Sequence, residues 1–258
     1  MAVAGQHMID REFIKWLRQQ AQAGDVEAQA LLADAYDEGV GVRKDSRKAV
    51  HWYRKAAEQG DVSALRSLGI CYDDGRGVAR DSGEAARCFR VAGELGDHHS
   101  QYNLALLYAH GRGVRRNYRK AVCWYTLAAE NGNVMAMNNL GVLIREGKGT
   151  PRDARFAARW FKLAARRGDR NAQCSLGYAF REGKGVRRNW KEAVRWYRRS
   201  ARQGYDIGQY NLGQCYRDGE GVRKNLRWAR YWLGKAAAAG NEEARKELRE
   251  LGGSQVEI

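Results

Sequence analysis

The residues of this 258-residue chain with the chemical character for catalysis or metal binding are its histidines, its cysteines and two glycine-rich segments. His98, His99 and His110 fall within one short stretch, and a convergent set of imidazoles would suit a divalent metal. His99 and His110 are eleven residues apart on one predicted helix, roughly 16 Å at the helical rise, so they do not share an ion. Cys71, Cys88, Cys123, Cys174 and Cys215 show no C-x-x-C spacing and no recurring pair, which excludes a dithiol motif and a disulfide framework. The segments EGKGT and EGKGV look faintly like a phosphate-binding loop. Their glycines, Gly147, Gly149, Gly183 and Gly185, recur at one place along the whole chain, and a helix-ending turn requires them there. H-E-x-x-H and S-x-x-K are absent. The residues therefore call for no catalytic group, no metal, no cofactor and no small-molecule substrate.

What positions every one of these residues is a period of thirty-six that runs without insertion or deletion from Asp25 to Gly240, six times. The copies are 25–60, 61–96, 97–132, 133–168, 169–204 and 205–240, with 1–24 and 241–258 as flanks. A regular period of this length implies a solenoid, whose units bury their apolar faces only by stacking. In the first copy Asp25 is a helix N-cap, and Ala28, Leu32, Ala35 and Tyr36 share one helical face. Gly39 supplies a left-handed residue to end that helix, and Gly41 permits a tight turn. Asp45 then caps a second helix with an apolar stripe of Ala49, Trp52, Tyr53, Ala56 and Ala57, closed by Gly60. Asp81 with Glu84 and Asn189 with Glu192 have capping-box spacing. Small residues such as Gly69, Gly141, Gly177 and Gly213 let the facing helix approach. The tryptophan column, Trp52, Trp124, Trp160, Trp196 and Trp232, is expected in the core. Ile14–Gly24 and Asn241–Leu251 align with half-units and read as caps, and the GGSQVEI tail reads as frayed.

These motifs, A…LG..Y..G.GV..D..KA..WY.KAA..G, resemble the Sel-1-like repeat family, kin of the tetratricopeptide repeat. The resemblance covers about four fifths of the chain. Copy four departs from it at Ile144, Thr150, Pro151 and Phe156. The resemblance implies an all-α, right-handed α-solenoid of six antiparallel helical hairpins with half-repeat caps, binding a protein or extended peptide as a non-enzymatic adaptor. Cysteine-rich relatives are associated with β-lactam-like molecules, and this chain lacks their regular cysteine pairs.

Formal net charge is +16, and it is uneven: copies one and two are slightly acidic, whereas copies four and five carry +6 and +7. Such a surface attracts nucleic acid, anionic membrane or acidic protein. The opening residues have no secretory pattern and no stretch reaches a membrane span, so a cytoplasmic protein is expected. With each copy numbered from its capping residue, positions 4, 8, 11 and 12 of the first helix point inward and 3, 6, 10, 13 and 14 outward. The resemblance places that outward face in the concave groove. There it presents Asp37 and Asp73 early, Tyr102, Leu106 and Val142 in the middle, and Arg145, Tyr178, Arg181, Tyr210 and Arg217 late. An extended partner would meet acid, then aromatic and aliphatic, then basic side chains, its aromatic and arginine contacts being the anchors. On the second helices Arg155, Arg159, Lys162 and Arg166 are matched by Lys191, Arg195, Arg198 and Arg202. These make two basic stripes on the convex side, either a solvated face or a site for nucleic acid or another anionic surface.

Overall fold

The computed structural model describes residues 11–253, and within them every regular element is an α-helix. The residues 1–10 of the N-terminal cap and 254–258 of the expected tail lie outside that range. Two compact units divide at Gly132 and Asn133. The first contains α1 (Arg11–Ala23), α2 (Val26–Glu38), α3 (Ser46–Glu58), α4 (Val62–Asp74), α5 (Ser82–Glu94), α6 (His98–His110) and α7 (Tyr118–Glu130). The second contains α8 (Val134–Glu146), α9 (Ala154–Arg166), α10 (Arg170–Glu182), α11 (Trp190–Arg202), α12 (Asp206–Asp218), α13 (Leu226–Ala238) and α14 (Glu242–Gly253). Each repeat is an antiparallel hairpin, and within each unit its second helix packs on the first helix of the next, so both units have the all-α repeat architecture that the period implies.

Caps set the helix limits. Asp25, Asp61, Asp97, Asn133 and Asp169 each accept a backbone N–H at the start of a first helix, and Gly39, Gly75, Gly111, Gly147, Gly183 and Gly219 end those helices in the left-handed conformation. The two capping boxes form only in half. Asp81 and Asn189 accept backbone N–H groups, while the Glu84 and Glu192 carboxylates turn outward to Arg87 and Arg195. Four of the second glycines, Gly77, Gly113, Gly185 and Gly221, do more than turn the chain. A Cβ on Gly77 would lie 2.1 Å from the Ser46 carbonyl oxygen, and one on Gly185 1.9 Å from that of Ala154, so each turn rests on the backbone of the preceding repeat.

The core differs from expectation in one column. Tyr53, Phe89, Tyr125, Phe161, Tyr197 and Leu233 are fully buried, whereas the tryptophans before them are half-buried except Trp196. The buried ring fits because its counterpart lacks a side chain: a Cβ on Gly69, Gly141 or Gly177 would stand 2.7 Å from the Phe89, Phe161 or Tyr197 ring. The indole, one residue earlier, is turned about 100° around the helix and covers the edge of this packing. A polar rung also links successive repeats. Gln29, Gln101 and Gln173 donate from Nε2 to the carbonyls of Ala21, Gly93 and Ala165. Their Oε1 atoms accept from Gln59, Asn131 and Gln203 at 2.8, 3.1 and 2.9 Å. C-terminally, α14 continues through Gly252, which the sequence placed in the frayed tail.

Candidate functional site

The first helices α8, α10 and α12 of the second unit line a cavity of about 940 Å³ together with the turns that follow α8 and α10. Val142, Tyr178 and Ile207 give it apolar surface, and Asn138, Asn171 and Asn211 give it amides. Helical periodicity places these residues on one side of each helix, at positions 3, 6, 7 and 10 of the repeat. The rim is cationic: Arg145, Lys148, Arg152 and Lys184 line it, against the single acid Glu146. Lys148 and Lys184 stand between the two glycines of their turns, which therefore aim them into the cavity. Lys184 Nζ donates to the Tyr178 hydroxyl at 2.9 Å and lies 4.9 Å from the centre of that ring. Lys148 pairs with Glu146 at 2.8 Å, and this bond, with the Arg145 guanidinium beside it, holds the Glu146 carboxyl below its ordinary value.

Three of the sequence-selected residues, Val142, Arg145 and Tyr178, meet in this cavity. Arg181 and Arg217 do not. They line a smaller space of about 300 Å³ with Trp190 and Gln214. Arg181 pairs with Glu182 at 3.1 Å, and Arg217 is held by Asp218 at 2.8 Å and Glu247 at 2.7 Å. Tyr210 donates its hydroxyl to Glu247 at 2.7 Å, and burial, with that carboxylate, pushes its pKa up to about 12. In the first unit Asp37 accepts from Arg76 at 2.9 Å, and Asp73 accepts from Ser82 at 2.8 Å and pairs with Arg112 at 3.2 Å. Tyr102 rests against the Tyr125 ring with centroids 5.9 Å apart, and Leu106 is half-buried. Position 13, read from the sequence as a gradient of groove charge, thus reaches into the following repeat at Asp37, Asp73 and Arg217.

Position 6 is also less open than its outward placement implies. Asn138 and Cys174 are buried because the next first helix covers them: Ser175 donates to Asn138 Oδ1 at 3.4 Å, and Asn211 lies 3.5 Å from Cys174 Sγ. Burial pushes the Cys174 thiol up to about 12, which keeps it protonated and un-nucleophilic.

Sequence reasoning passed over Asn171, Ser175 and Tyr205. Tyr205 had a visible signal: it stands where the other copies have Asp or Asn, and α12 starts without a side-chain cap. Its ring instead forms part of the cavity wall, 5.8 Å below the Arg170 guanidinium. Of the outer cations, Arg159, Lys162 and Arg195 are exposed, and half-buried Arg198 donates to the Tyr216 hydroxyl at 3.1 Å. Among the described residues no group of three His, Cys, Asp or Glu side chains is placed to hold a metal, and no helix is long and apolar enough to cross a membrane.

No curated protein matches this sequence. Among solved structures, c5321, a protective antigen present in uropathogenic Escherichia coli strains and displaying an SLR fold, is 35% identical over 91% of this chain, with a TM-score of 0.85. The present chain spans half, 50%, of that protein's length. A Sel1 repeat protein from Oxalobacter formigenes is 31% identical, with 88% of this chain and 90% of that one covered and a TM-score of 0.80. Immunity protein Pa5087 from Pseudomonas aeruginosa, at 19% identity, with 83% of this chain and 81% of that one covered and a TM-score of 0.50, shares the fold alone. The Sel1 repeat matches six consecutive segments, 26–61, 62–97, 98–133, 134–169, 170–205 and 207–241. With its glycine pairs, caps and stacked hairpins accounted for by that repeat, the chain belongs to the Sel1 repeat family, whose members generally act as protein-interaction scaffolds.

Proposed function

We propose that the protein is a non-enzymatic scaffold that holds an extended segment of a partner protein against the first helices of copies four to six. The observation that carries this reading is the cavity of about 940 Å³, in which apolar and aromatic walls, three asparagine amides and a cationic rim converge. The half-buried Asn171 side chain offers both a donor and an acceptor, the pair that a peptide group in an extended chain needs. Tyr178 and Tyr205 supply rigid aromatic surface of the kind that anchors interfaces. Four rim cations against one acid favour a segment bearing Asp or Glu, and complementarity of this kind governs orientation and association rate more than affinity. The acids Asp37 and Asp73 and the cation Arg217 serve inter-repeat pairs, which sets them outside the proposed contact. Nothing in the cavity needs a cofactor, and its one thiol is protonated.

The test is site-specific photo-crosslinking in cells that make the protein. A photoreactive amino acid at Ser175, in the cavity, should yield a discrete protein adduct, and Tyr178→Ala should abolish it with the fold intact. A photoreactive residue at exposed Glu27 serves as the control. Adducts that form equally at both positions, or that survive Tyr178→Ala, would exclude this cavity as the partner site.

A further inference from the structure

A second surface of the second unit has a different chemistry. The helices α9, α11 and α13 carry twelve Lys and Arg against one acid, Glu192, whereas α8, α10 and α12 carry four Arg against four acids. On α9 and α11 the cations are in register at the same four places of the repeat. Arg155, Arg159, Lys162 and Arg166 form one row. Lys191, Arg195, Arg198 and Arg202 form the other. Between the rows lies a hollow of about 310 Å³ lined by Lys162 and Arg166 of α9, by Arg195 and by Arg199, which lies outside the rows, of α11, and by Leu176 and Phe180 of α10. Glu192 pairs with Arg195 at 3.4 Å and is the one acid on this wall.

This lattice is not explained by helix stability. Like charges four residues apart destabilise a helix, and the spacing repeats in each row, as in Arg155 with Arg159 and Arg198 with Arg202. The helix dipole favours the cations of the last turn, Arg166 and Arg202, but disfavours Arg155 and Lys191 in the first. Nor is it a property of the repeat, since the place occupied by Arg166 and Arg202 holds Glu58, Glu94 and Glu130 in the first unit. We propose that the second-helix face of copies four and five binds the phosphate backbone of nucleic acid without regard to sequence. Eleven residues from first to last cation span roughly 16 Å. A duplex of that length carries about ten phosphate charges, commensurate with eight cations. Six of the eight are arginines, whose planar fork matches phosphate oxygens. An anionic lipid surface would reward apolar insertion across the whole face. Phe156 and Leu163 are exposed on α9, but α11 exposes no large apolar side chain among the described residues, so charge is what the two helices share.

The experiment measures fluorescence anisotropy of a labelled random-sequence duplex with the full chain across a salt series. Eight phosphate contacts give a slope of about −7 in log K against log salt, or about a 10⁴-fold loss between 50 and 200 mM. The variant Arg159→Gln, Lys162→Gln, Arg195→Gln, Arg198→Gln should halve that slope. An equal loss of charge at Arg47, Lys48, Arg54 and Lys55 in the first unit should leave it within about one unit of wild type. Should the four-fold variant fail to fold by circular dichroism, Arg159→Gln with Lys162→Gln alone should reduce the slope by about 2. Equal effects of the two charge-matched variants would overturn the proposal, as would tight binding that does not respond to salt. Binding to phosphatidylserine vesicles without binding to duplex would overturn it in favour of a membrane.

Discussion

Restoring the missing rung in copy six should stabilise the protein. Gln209 donates from Nε2 to the Ala201 carbonyl at 3.2 Å, as its counterparts do, yet its Oε1 is buried without a partner. In copy five the matching donor is Gln203, which reaches Gln173 Oε1 and the Gly168 carbonyl, both at 2.9 Å. The equivalent residue in copy six is Ala239. An Ala239→Gln side chain in the Gln203 conformation would meet Gln209 Oε1 and the Gly204 carbonyl. Satisfying a buried acceptor contributes about 1–3 kcal/mol, and fixing a glutamine costs up to about 1.5–2 kcal/mol. The net gain should be about 1 kcal/mol, and a melting temperature higher by about 2–4 °C follows for a chain of this size. Thermal and urea unfolding followed by circular dichroism would measure it, with Ala239→Glu as the control, because a carboxylate cannot donate to an amide oxygen. The reasoning fails if Gln and Glu act alike, or if Ala239→Gln leaves stability unchanged. The reverse substitution, Gln203→Ala, should cost about 1–2 kcal/mol by uncovering Gln173.

Two further substitutions test other parts of the structure. Tyr205→Asp should supply the absent cap of α12 and raise stability by about 1 kcal/mol, while removing cavity wall and weakening capture of partner at the Ser175 crosslinking position; a loss of stability would show that the ring is structural. Burial raises the Asp97 carboxyl, but hydrogen bonds from Ser100 and the Arg66 guanidinium outweigh it, so the net shift is downward. A depressed carboxylate contributes stability that is complete above its unfolded pKa of about 3.9 and is lost as pH falls through the lower folded value. Asp97→Asn keeps a competent cap, so its unfolding free energy should fall less steeply than wild type below about pH 4 in urea titrations. A parallel acid limb would refute the assignment.

How much of this was legible in the sequence depended on whether the information lay within one repeat. Helix limits, glycine ends and the Leu32 column follow from thirty-six residues read alone, and the structure keeps them. The role of position 13 does not, because its partner lies in the next copy. Asp37 meets Arg76, and Arg217 meets Glu247, pairings that only the stacking of repeats creates. Reading Asp37, Asp73 and Arg217 as groove charges was therefore natural, although all three are occupied within the fold. The indole column was assigned to the core because it recurs at one second-helix position, whereas burial follows the glycine opposite, which admits the Tyr or Phe that comes next. In the cavity Val142, Arg145 and Tyr178 were picked out by type and outward position, whereas Asn171, Ser175 and the lysines between glycines carried no signal of their own. Tyr205 was the exception, visible as a break in an otherwise regular capping column.

The turn glycines that rest on the preceding helix have a consequence for how such a protein can change. At Gly77, Gly113, Gly185 and Gly221 an added Cβ would fall between about 1.9 and 2.3 Å from a backbone atom of the repeat before. At these four turns the step from one hairpin to the next is gauged by main chain against main chain, with no side chain of the turn between. Exposed residues that pair with no other repeat can be exchanged while the spacing at these turns stays constant. A chain measured in this way should lengthen or shorten by whole copies of thirty-six, and a graft of one complete hairpin for another should preserve the stagger of its neighbours. Specificity can then be written on a ruler whose graduations do not move.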